Sequence, residues 1–154
     1  MLTALILLAA TRCTVPTSFR AAVRKFESHY TTVATLHPCF LAADFDGDGR
    51  KDLAVLVRDR TTNKTGIALH HSGDGTWHII GAGSRTMEES AGDDFSTWLG
   101  AWSIHPRNVP VEKGVEAGEP PKLRGDALLL EEPESASGIV YWSGTRYVWY
   151  QQGD

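Results

Sequence analysis

The segment from Asp44 to Asp52 constrains the fold of this chain more than any other. It reads Asp-Phe-Asp-Gly-Asp-Gly-Arg-Lys-Asp, so carboxylates alternate with other residues around two glycines. The apolar residues 40–43 precede it, and the largely β-branched run 53–57 follows it. Apolar runs bounded by Gly and Asp are typical of strands. The pattern predicts two strands joined by an acidic loop.

The acidic residues have the spacing of a calcium loop. Calcium binds about six to eight oxygen ligands in flexible geometry, and loops that hold it place ligands at positions one, three, five, seven and nine. Counted from Asp44, the residues at these positions are Asp44, Asp46, Asp48, Arg50 and Asp52. We therefore predict a calcium site formed by these residues, with Arg50 contributing its main-chain carbonyl.

Two further positions define the kind of loop. Gly49 stands at position six, where calcium loops turn sharply and need a residue that accepts a positive φ. A helix-loop-helix site requires a bidentate glutamate at position twelve, but Val55 stands there within the strand-like run. The segment is therefore not a helix-loop-helix calcium site.

With its flanking strands, the motif Asp-x-Asp-Gly-Asp-Gly-x-x-Asp-Leu resembles the FG-GAP or VCBS type repeat. The resemblance implies side-chain ligands from the four aspartates and a main-chain ligand from Arg50. Such repeats form the blades of β-propellers, which contain about four to eight blades, whereas this chain carries one copy. The expected role of calcium is structural, and the competing interpretation is an Asp/Gly-rich turn without metal.

The N-terminal residues 1–13 differ from the rest of the chain. They contain an apolar stretch of the length found in signal peptides, too short to span a bilayer. We predict export to the periplasm or the cell exterior, with one domain over residues 14–154. The alternative is that the apolar stretch belongs to the folded domain. A lipid anchor at Cys13 is disfavoured because Arg12 stands where a small residue is required.

Composition narrows the possible partners. The chain has 154 residues, the size of one ordinary domain, and a formal net charge of -4 with its basic residues scattered. Proteins that bind nucleic acid carry a basic patch, so a nucleic-acid partner is not expected. The two cysteines, Cys13 and Cys39, allow one disulfide, which an oxidising compartment would permit.

The periodicity of the sequence predicts an α+β fold. Apolar residues recur at helical spacing near the N-terminus, at Phe19, Val23, Phe26 and Tyr30. Further along, β-branched and aromatic runs alternate with turn residues, as in β-hairpins. We expect the N-terminal helix to pack on a mostly antiparallel sheet of six or seven strands that includes the calcium-loop hairpin. A second short helix is predicted around residues 95–102, with Trp98 and Trp102 on one side.

The C-terminal hairpin is the candidate contact surface. One of its faces is expected to close the core, and the competing interpretation is that its aromatic residues simply seal the sheet. It is rich in aromatic residues, of which Tyr141, Trp142, Tyr147 and Trp149 are the candidate contacts. Exposed aromatic side chains commonly mark a contact site, and the hairpin resembles those of small bacterial envelope proteins, a resemblance that implies no activity. The expected function is that of an exported, calcium-stabilised, non-enzymatic domain that binds a protein or a glycan.

A secreted hydrolase is the alternative function. Asp93, Asp94 and His105 lie close together in sequence and have the chemistry of general acid-base catalysis. The competing interpretation is that the aspartates cap the short helix and that the nearby tryptophans belong to the core. Three histidines, His70, His71 and His78, are also close across one predicted hairpin, where two imidazoles on the same side would suit a transition metal. A zinc site needs further ligands that the sequence does not name, so exposed strand histidines are the favoured interpretation.

Overall fold

The computed structural model describes residues 14–26, 28–84 and 92–153. Within these ranges, nine strands form two antiparallel sheets, preceded by a short helical segment. The predicted signal segment 1–13, including Cys13, lies outside the described residues. Cys39 is disulfide-bonded.

The N-terminal helical segment covers one face of the first sheet. A 3₁₀ turn, Thr17–Phe19, continues into helix α1, Arg20–Phe26. Val23 is buried, and Phe19 and Phe26 pack against the same cluster. The predicted N-terminal helix is confirmed, but it ends before Tyr30, which belongs to the first strand.

The first sheet contains the acidic loop. Its strands are β1 (Tyr30–Thr32), β2 (Phe40–Ala43), β3 (Asp52–Asp59), β4 (Thr65–His70) and β5 (Trp77–Gly81). Strands β3, β4 and β5 follow one another as antiparallel neighbours, while β1 and β2 pair with successive parts of β3. The sheet is therefore about four strands wide, with β3 at its centre.

The second sheet is a meander of four consecutive strands. They are β6 (Ala101–His105), β7 (Ala127–Glu132), β8 (Ala136–Trp142) and β9 (Tyr147–Gly153). Alternate side chains of a strand point to opposite faces, so Leu128, Leu130 and Val140 share one face. These three side chains are buried in a core shared with the first sheet.

The two sheets pack face to face, and helix α1 covers the other face of the first sheet. The core between the sheets contains residues of both, including Leu56, Leu69, Phe95, Trp102 and Trp149. A second cluster, which includes Leu53, Val55 and Val57, faces the helix. Because β3 is buried on both faces, its residues 52–57 are all buried. This explains why residues 53–57 form a continuous apolar run rather than an alternating one.

The prediction of a mostly antiparallel fold with an N-terminal helix is confirmed, but the prediction of one sheet of six or seven strands is wrong. The predicted helix over residues 95–102 is only a 3₁₀ turn, Phe95–Thr97, after which the chain enters β6. Trp102 is buried on that strand, and its Nε1 donates to the carbonyl of Pro38 at 2.7 Å. Trp98 and Trp102 are four residues apart, a spacing typical of one side of a helix, but here both side chains pack in or against the core between the sheets.

Within residues 14–26, 28–84 and 92–153, no helix has the length and apolar character needed to cross a membrane.

The environment of His70 generates a pH prediction. Its ring lies between Phe19, at 6.1 Å, and Trp77, at 4.8 Å between centroids. Its Nδ1 is buried with no hydrogen-bond partner among the described residues. Burial lowers the pKa of His70 below its ordinary value of 6.5, and His71 adds to the decrease. A depressed pKa means that protonation favours the unfolded chain, so stability falls as the pH drops below 6.5.

The melting temperature should fall as the pH drops from 6.5 to 5. We expect this fall to be smaller in His70→Phe, because phenylalanine does not take up a proton when the chain unfolds. Thermal unfolding by circular dichroism at a series of pH values measures this. The exposed His29 offers a matched control, and His29→Gln should leave the slope as in the parent. Parallel curves for His70→Phe and the parent would contradict the assignment.

Candidate metal centre

The acidic loop connects β2 to β3. Ala43 and Asp52 form the last register pair of these strands, so residues 44–51 close the hairpin. The structure thus confirms the predicted strands on both sides of the loop. Residues 44–50 pack next to the chain that enters the second sheet, since the amide of Asp126 donates to the carbonyl of Asp44 at 2.7 Å.

The first aspartate organises the two glycines of the loop. Gly47 and Gly49 have φ values of 81° and 87°, a left-handed conformation that other residues adopt only with strain. Their amides point inward, and Asp44 accepts both, through Oδ1 from Gly47 at 2.8 Å and through Oδ2 from Gly49 at 3.0 Å. The glycines therefore allow the loop to fold around the Asp44 carboxylate.

The next two aspartates form successive short turns. Asp46 Oδ1 accepts the amide of Asp48 at 3.0 Å, and Asp48 Oδ1 accepts the amide of Arg50 at 2.7 Å. An aspartate that accepts from the residue two positions later makes an Asx turn. These turns bring oxygen atoms of Asp44, Asp46 and Asp48 within 4.8 Å of one another.

This donor set suits a hard cation such as calcium, which prefers carboxylate and carbonyl oxygens and tolerates irregular geometry. Asp44, Asp46 and Asp48 are the residues that would hold it. Arg50 joins the loop through its amide, and its carbonyl as a ligand stays a prediction. The side chains of Asp44 and Asp46 are mostly buried, with 13% and 15% exposed, while Asp48 is exposed. The group therefore opens to solvent on one side.

Asp52 occupies a different position from the other predicted ligands. Its side chain is fully buried, and three backbone amides donate to it. Oδ2 accepts from Phe45 at 3.0 Å and from Asp46 at 3.3 Å, and Oδ1 accepts from Ser72 at 2.8 Å. Asp52 thus joins the acidic loop to the β4–β5 turn. Burial raises the pKa of Asp52 above its ordinary value, although the Ser72 amide opposes the rise.

A histidine that the sequence did not link to the loop lies beside Asp52. Asp46, Asp52 and His71 form a second group with donor atoms within 4.8 Å of one another. The predicted carboxylates are therefore divided between two groups that share Asp46. His71 Nδ1 is 3.5 Å from Asp46 Oδ2, and its Nε2 is 2.6 Å from the Tyr147 hydroxyl.

The surroundings of His71 indicate how its protons are arranged. Burial raises the pKa of Tyr147, and the charges of Asp52 and Asp46 add to the rise, so the phenol stays protonated. Because a carboxylate only accepts hydrogen bonds, the contact with Asp46 favours a proton on His71 Nδ1. His71 Nε2 then accepts from Tyr147. The chain Tyr147–His71–Asp46 connects the core between the sheets to the acidic loop.

Of the three histidines predicted to lie together, two do. The rings of His71 and His78 are 4.4 Å apart between centroids, and Trp142 packs against both. Burial lowers the pKa of His78 below its ordinary value, and the neighbouring His71 adds to this effect. His70 packs instead with Phe19, on the face of the first sheet that α1 covers.

The loop also makes close backbone contacts with the segment that leads into β7. A Cβ on Gly47 would lie 2.6 Å from the carbonyl oxygen of Arg124, and one on Gly125 would lie 2.5 Å from that of Asp44. Arg107, in the connection between β6 and β7, donates from Nη1 to Asp44 Oδ2 at 2.9 Å. Sequence reasoning missed Arg107 and residues 124–126, because nothing local distinguishes them from other polar loop residues.

On the C-terminal hairpin, the structure supports the competing interpretation, in which most of the aromatic residues seal the sheet. Tyr147 and Trp149 are buried in the core between the sheets, with 5% and 9% of their surface exposed, and Trp142 packs against that core. Tyr141, which is half-buried, pairs with Val148 of β9 and so lies on the opposite face of the sheet from Trp142, Tyr147 and Trp149. The hairpin is aromatic because it closes the core.

The residues of the predicted hydrolase site are each engaged in separate structural contacts. Asp93 pairs with Lys64 at 2.6 Å. Asp94 caps the 3₁₀ turn and accepts from the amides of Ser96 and Thr65 at 3.0 Å and 2.9 Å. His105 Nε2 lies 3.1 Å from the carbonyl of Val109.

The alternative interpretation for these aspartates was helix capping, and the structure confirms it for Asp94. Burial acts to raise the pKa of Asp94, but the hydrogen bonds from Thr65 and Ser96 together lower it below its ordinary value. The carboxylate is therefore held ionised as an acceptor, a state suited to a cap.

No model of a known protein family, no curated protein sequence and no solved structure matches this chain.

The buried Asp52 carboxylate generates a stability prediction. We expect Asp52→Ala to lower the free energy of unfolding in EDTA by about 2–4 kcal/mol, because it leaves buried amides without an acceptor. Asp52→Asn keeps one acceptor oxygen and should lose less. Urea unfolding followed by tryptophan fluorescence measures both variants. A loss in Asp52→Ala smaller than that in Asp52→Asn would show that the amides find other partners.

The two loop glycines provide a matched pair of substitutions. Both have positive φ, but a Cβ on Gly49 meets nothing within 4 Å, whereas one on Gly47 meets Arg124. We expect Gly49→Ala to cost only the left-handed strain, about 1–2 kcal/mol. Gly47→Ala should cost at least 1 kcal/mol more, because overpacking adds roughly 1–3 kcal/mol. Equal losses in urea unfolding would contradict the observed packing of the loop on the second sheet.

Proposed function

We propose that this protein is an exported domain whose acidic loop binds one calcium ion, which stabilises the junction between its two sheets. The observation that carries the proposal is the convergence of Asp44, Asp46 and Asp48, with carboxylate oxygens within 4.8 Å of one another. The loop also packs directly on the segment that leads into β7. An ion bound there would stiffen both parts at once.

Electrostatics supports a bound cation. Like charges at such short separations destabilise a folded state, and a divalent cation replaces their repulsion with attraction. The side chains of Asp44 and Asp46 are largely withdrawn from solvent, which strengthens both effects. Three carboxylates in a partly open loop suit the affinities of about 10⁻⁴–10⁻³ M that are typical of extracellular calcium modules.

The resemblance to FG-GAP or VCBS type repeats rests on the motif and on the position of the loop between two strands. In those repeats the calcium loop joins two neighbouring strands of an antiparallel sheet, and here the loop joins β2 to β3. A propeller blade has four strands in sequential order, and each sheet of this chain is about four strands wide with mainly sequential neighbours. We propose a structural role for calcium, as the resemblance implies.

Two observations support export. Residues 1–13 have the apolar character of a signal peptide. Cys39 is disulfide-bonded, and disulfides persist mainly in oxidising compartments. We propose a periplasmic or extracellular location, where calcium is also abundant enough for a weak site.

We propose a binding role without catalysis, directed at a protein or a glycan. The engagement of Asp93, Asp94 and His105 in separate structural contacts supports a non-enzymatic role. On the C-terminal hairpin, the burial of Tyr147 and Trp149 leaves Tyr141 as the first residue to test for contact.

Thermal unfolding in EDTA and in millimolar calcium tests the proposed site. We expect calcium at about 100 times its dissociation constant to add about 2.7 kcal/mol of stability. For a chain of this length that corresponds to a rise in melting temperature of roughly 5–10 °C. The double variant Asp46→Asn, Asp48→Asn should not respond, because it removes two carboxylates of the group but preserves the shape of the loop.

The matched control removes two negative charges outside the acidic loop. Glu112 and Glu116 are exposed in the β6–β7 connection, and Glu112→Gln, Glu116→Gln should retain the full response. Magnesium at the same concentration should act more weakly, because it demands near-octahedral geometry. If the parent does not respond to calcium, or if the Asp46, Asp48 variant responds equally, the acidic loop is a turn without metal.

A further inference from the structure

We propose that Arg107 competes with calcium for Asp44, so that calcium binding releases the Arg107 side chain from the carboxylate. The inference rests on the proposed calcium site and concerns its regulation. Arg107 Nη1 lies 2.9 Å from Asp44 Oδ2, the oxygen that also accepts the Gly49 amide. A carboxylate oxygen accepts about two hydrogen bonds, so this oxygen has no free position for a cation while Arg107 is in place.

The connection positions Arg107 for this role. The backbone amide of Arg107 donates to Asp126 Oδ1 at 3.0 Å, and Asp126 in turn donates its own amide to the carbonyl of Asp44. The guanidinium also donates to the carbonyl of Arg124 at 3.4 Å. The arginine is thus held against the loop by the segment that enters the second sheet, and not by a neighbour in sequence.

Calcium can replace Arg107 beside Asp44 because the two side chains of this ion pair differ in exposure. The Arg107 side chain is 48% exposed, whereas that of Asp44 is 13% exposed. An exposed guanidinium regains water easily when it leaves, while the buried carboxylate still requires a positive partner. Calcium can supply that partner from the open side of the group, near the exposed Asp48.

The exchange has a thermodynamic consequence. If Arg107 and calcium share one carboxylate, each lowers the apparent affinity of the other by the same factor. The positive charge of Arg107 beside the group also repels a divalent ion. We expect Arg107 to weaken calcium binding about tenfold, within the usual range of such couplings.

The rest of the contact between the loop and the second sheet is independent of this exchange. The hydrogen bond from Asp126 reaches the backbone carbonyl of Asp44, not its carboxylate, and the close approach of Gly125 to Asp44 is also between backbones. Calcium therefore leaves residues 124–126 docked and the Arg107 amide bonded to Asp126, and displaces only the Arg107 guanidinium. In the calcium-free protein, the Arg107 guanidinium supplies the positive charge beside the Asp44 carboxylate.

Isothermal titration of calcium into the EDTA-treated full chain tests the proposal. We expect Arg107→Gln to bind calcium about tenfold more tightly than the parent. Arg107→Lys retains the charge and should remain closer to the parent. Arg24→Gln, an exposed position on α1, removes the same charge on the other face of the first sheet and should bind as the parent does. Circular dichroism confirms that each variant is folded.

The outcomes separate this inference from the proposed function. Tighter binding by Arg107→Gln, including binding by that variant alone, supports both. If the parent binds calcium and Arg107→Gln binds equally or more weakly, the competition is refuted and the calcium site stands. If Arg24→Gln gains as much as Arg107→Gln, the effect is one of net charge and the competition is again refuted. If neither the parent nor Arg107→Gln binds calcium, both the calcium site and the competition by Arg107 are refuted.

Discussion

The hydrogen bonds of the buried Asp52 carboxylate are the interaction on which the arrangement of the acidic loop depends. Asp52 begins the central strand β3 and accepts amides from the loop before it and from the β4–β5 turn. A buried carboxylate is costly unless such donors surround it. Because these donors come from two separate connections, the loop and the turn are held in one position relative to the sheet.

The acidic loop is also the place where the two sheets meet through backbone and side-chain contacts. Gly47 and Gly125 allow backbones to approach more closely than any side chain permits. Arg107 adds a charge contact to Asp44, and Tyr147 reaches Asp46 through His71. Local chemistry in the loop is therefore coupled to the packing of the whole molecule, which is why a bound cation there would act on global stability.

Much of the local structure followed from the sequence. The strands beside the loop, the helical segment with Val23 and the cap at Asp94 were predicted from patterns of neighbouring residues. The helix predicted over residues 95–102 was wrong, because Trp98 and Trp102 have helical spacing. The number of sheets was not predicted, because strand patterns do not say which strands pair. The sequence also left open whether the C-terminal aromatics are exposed or seal the sheet, because a hairpin pattern does not say which of its faces a second sheet will cover.

The sequence alone determined the spacing of Asp44, Asp46 and Asp48 and the glycines that let the loop turn, because these depend only on residues close together in the chain. The tertiary structure alone decided that Asp52 braces the loop and that His71 and Arg107 lie against it. Those contacts join residues far apart in sequence. They form when the two sheets bury their apolar faces against each other, and a pattern of neighbouring residues does not predict which distant residues this packing brings together.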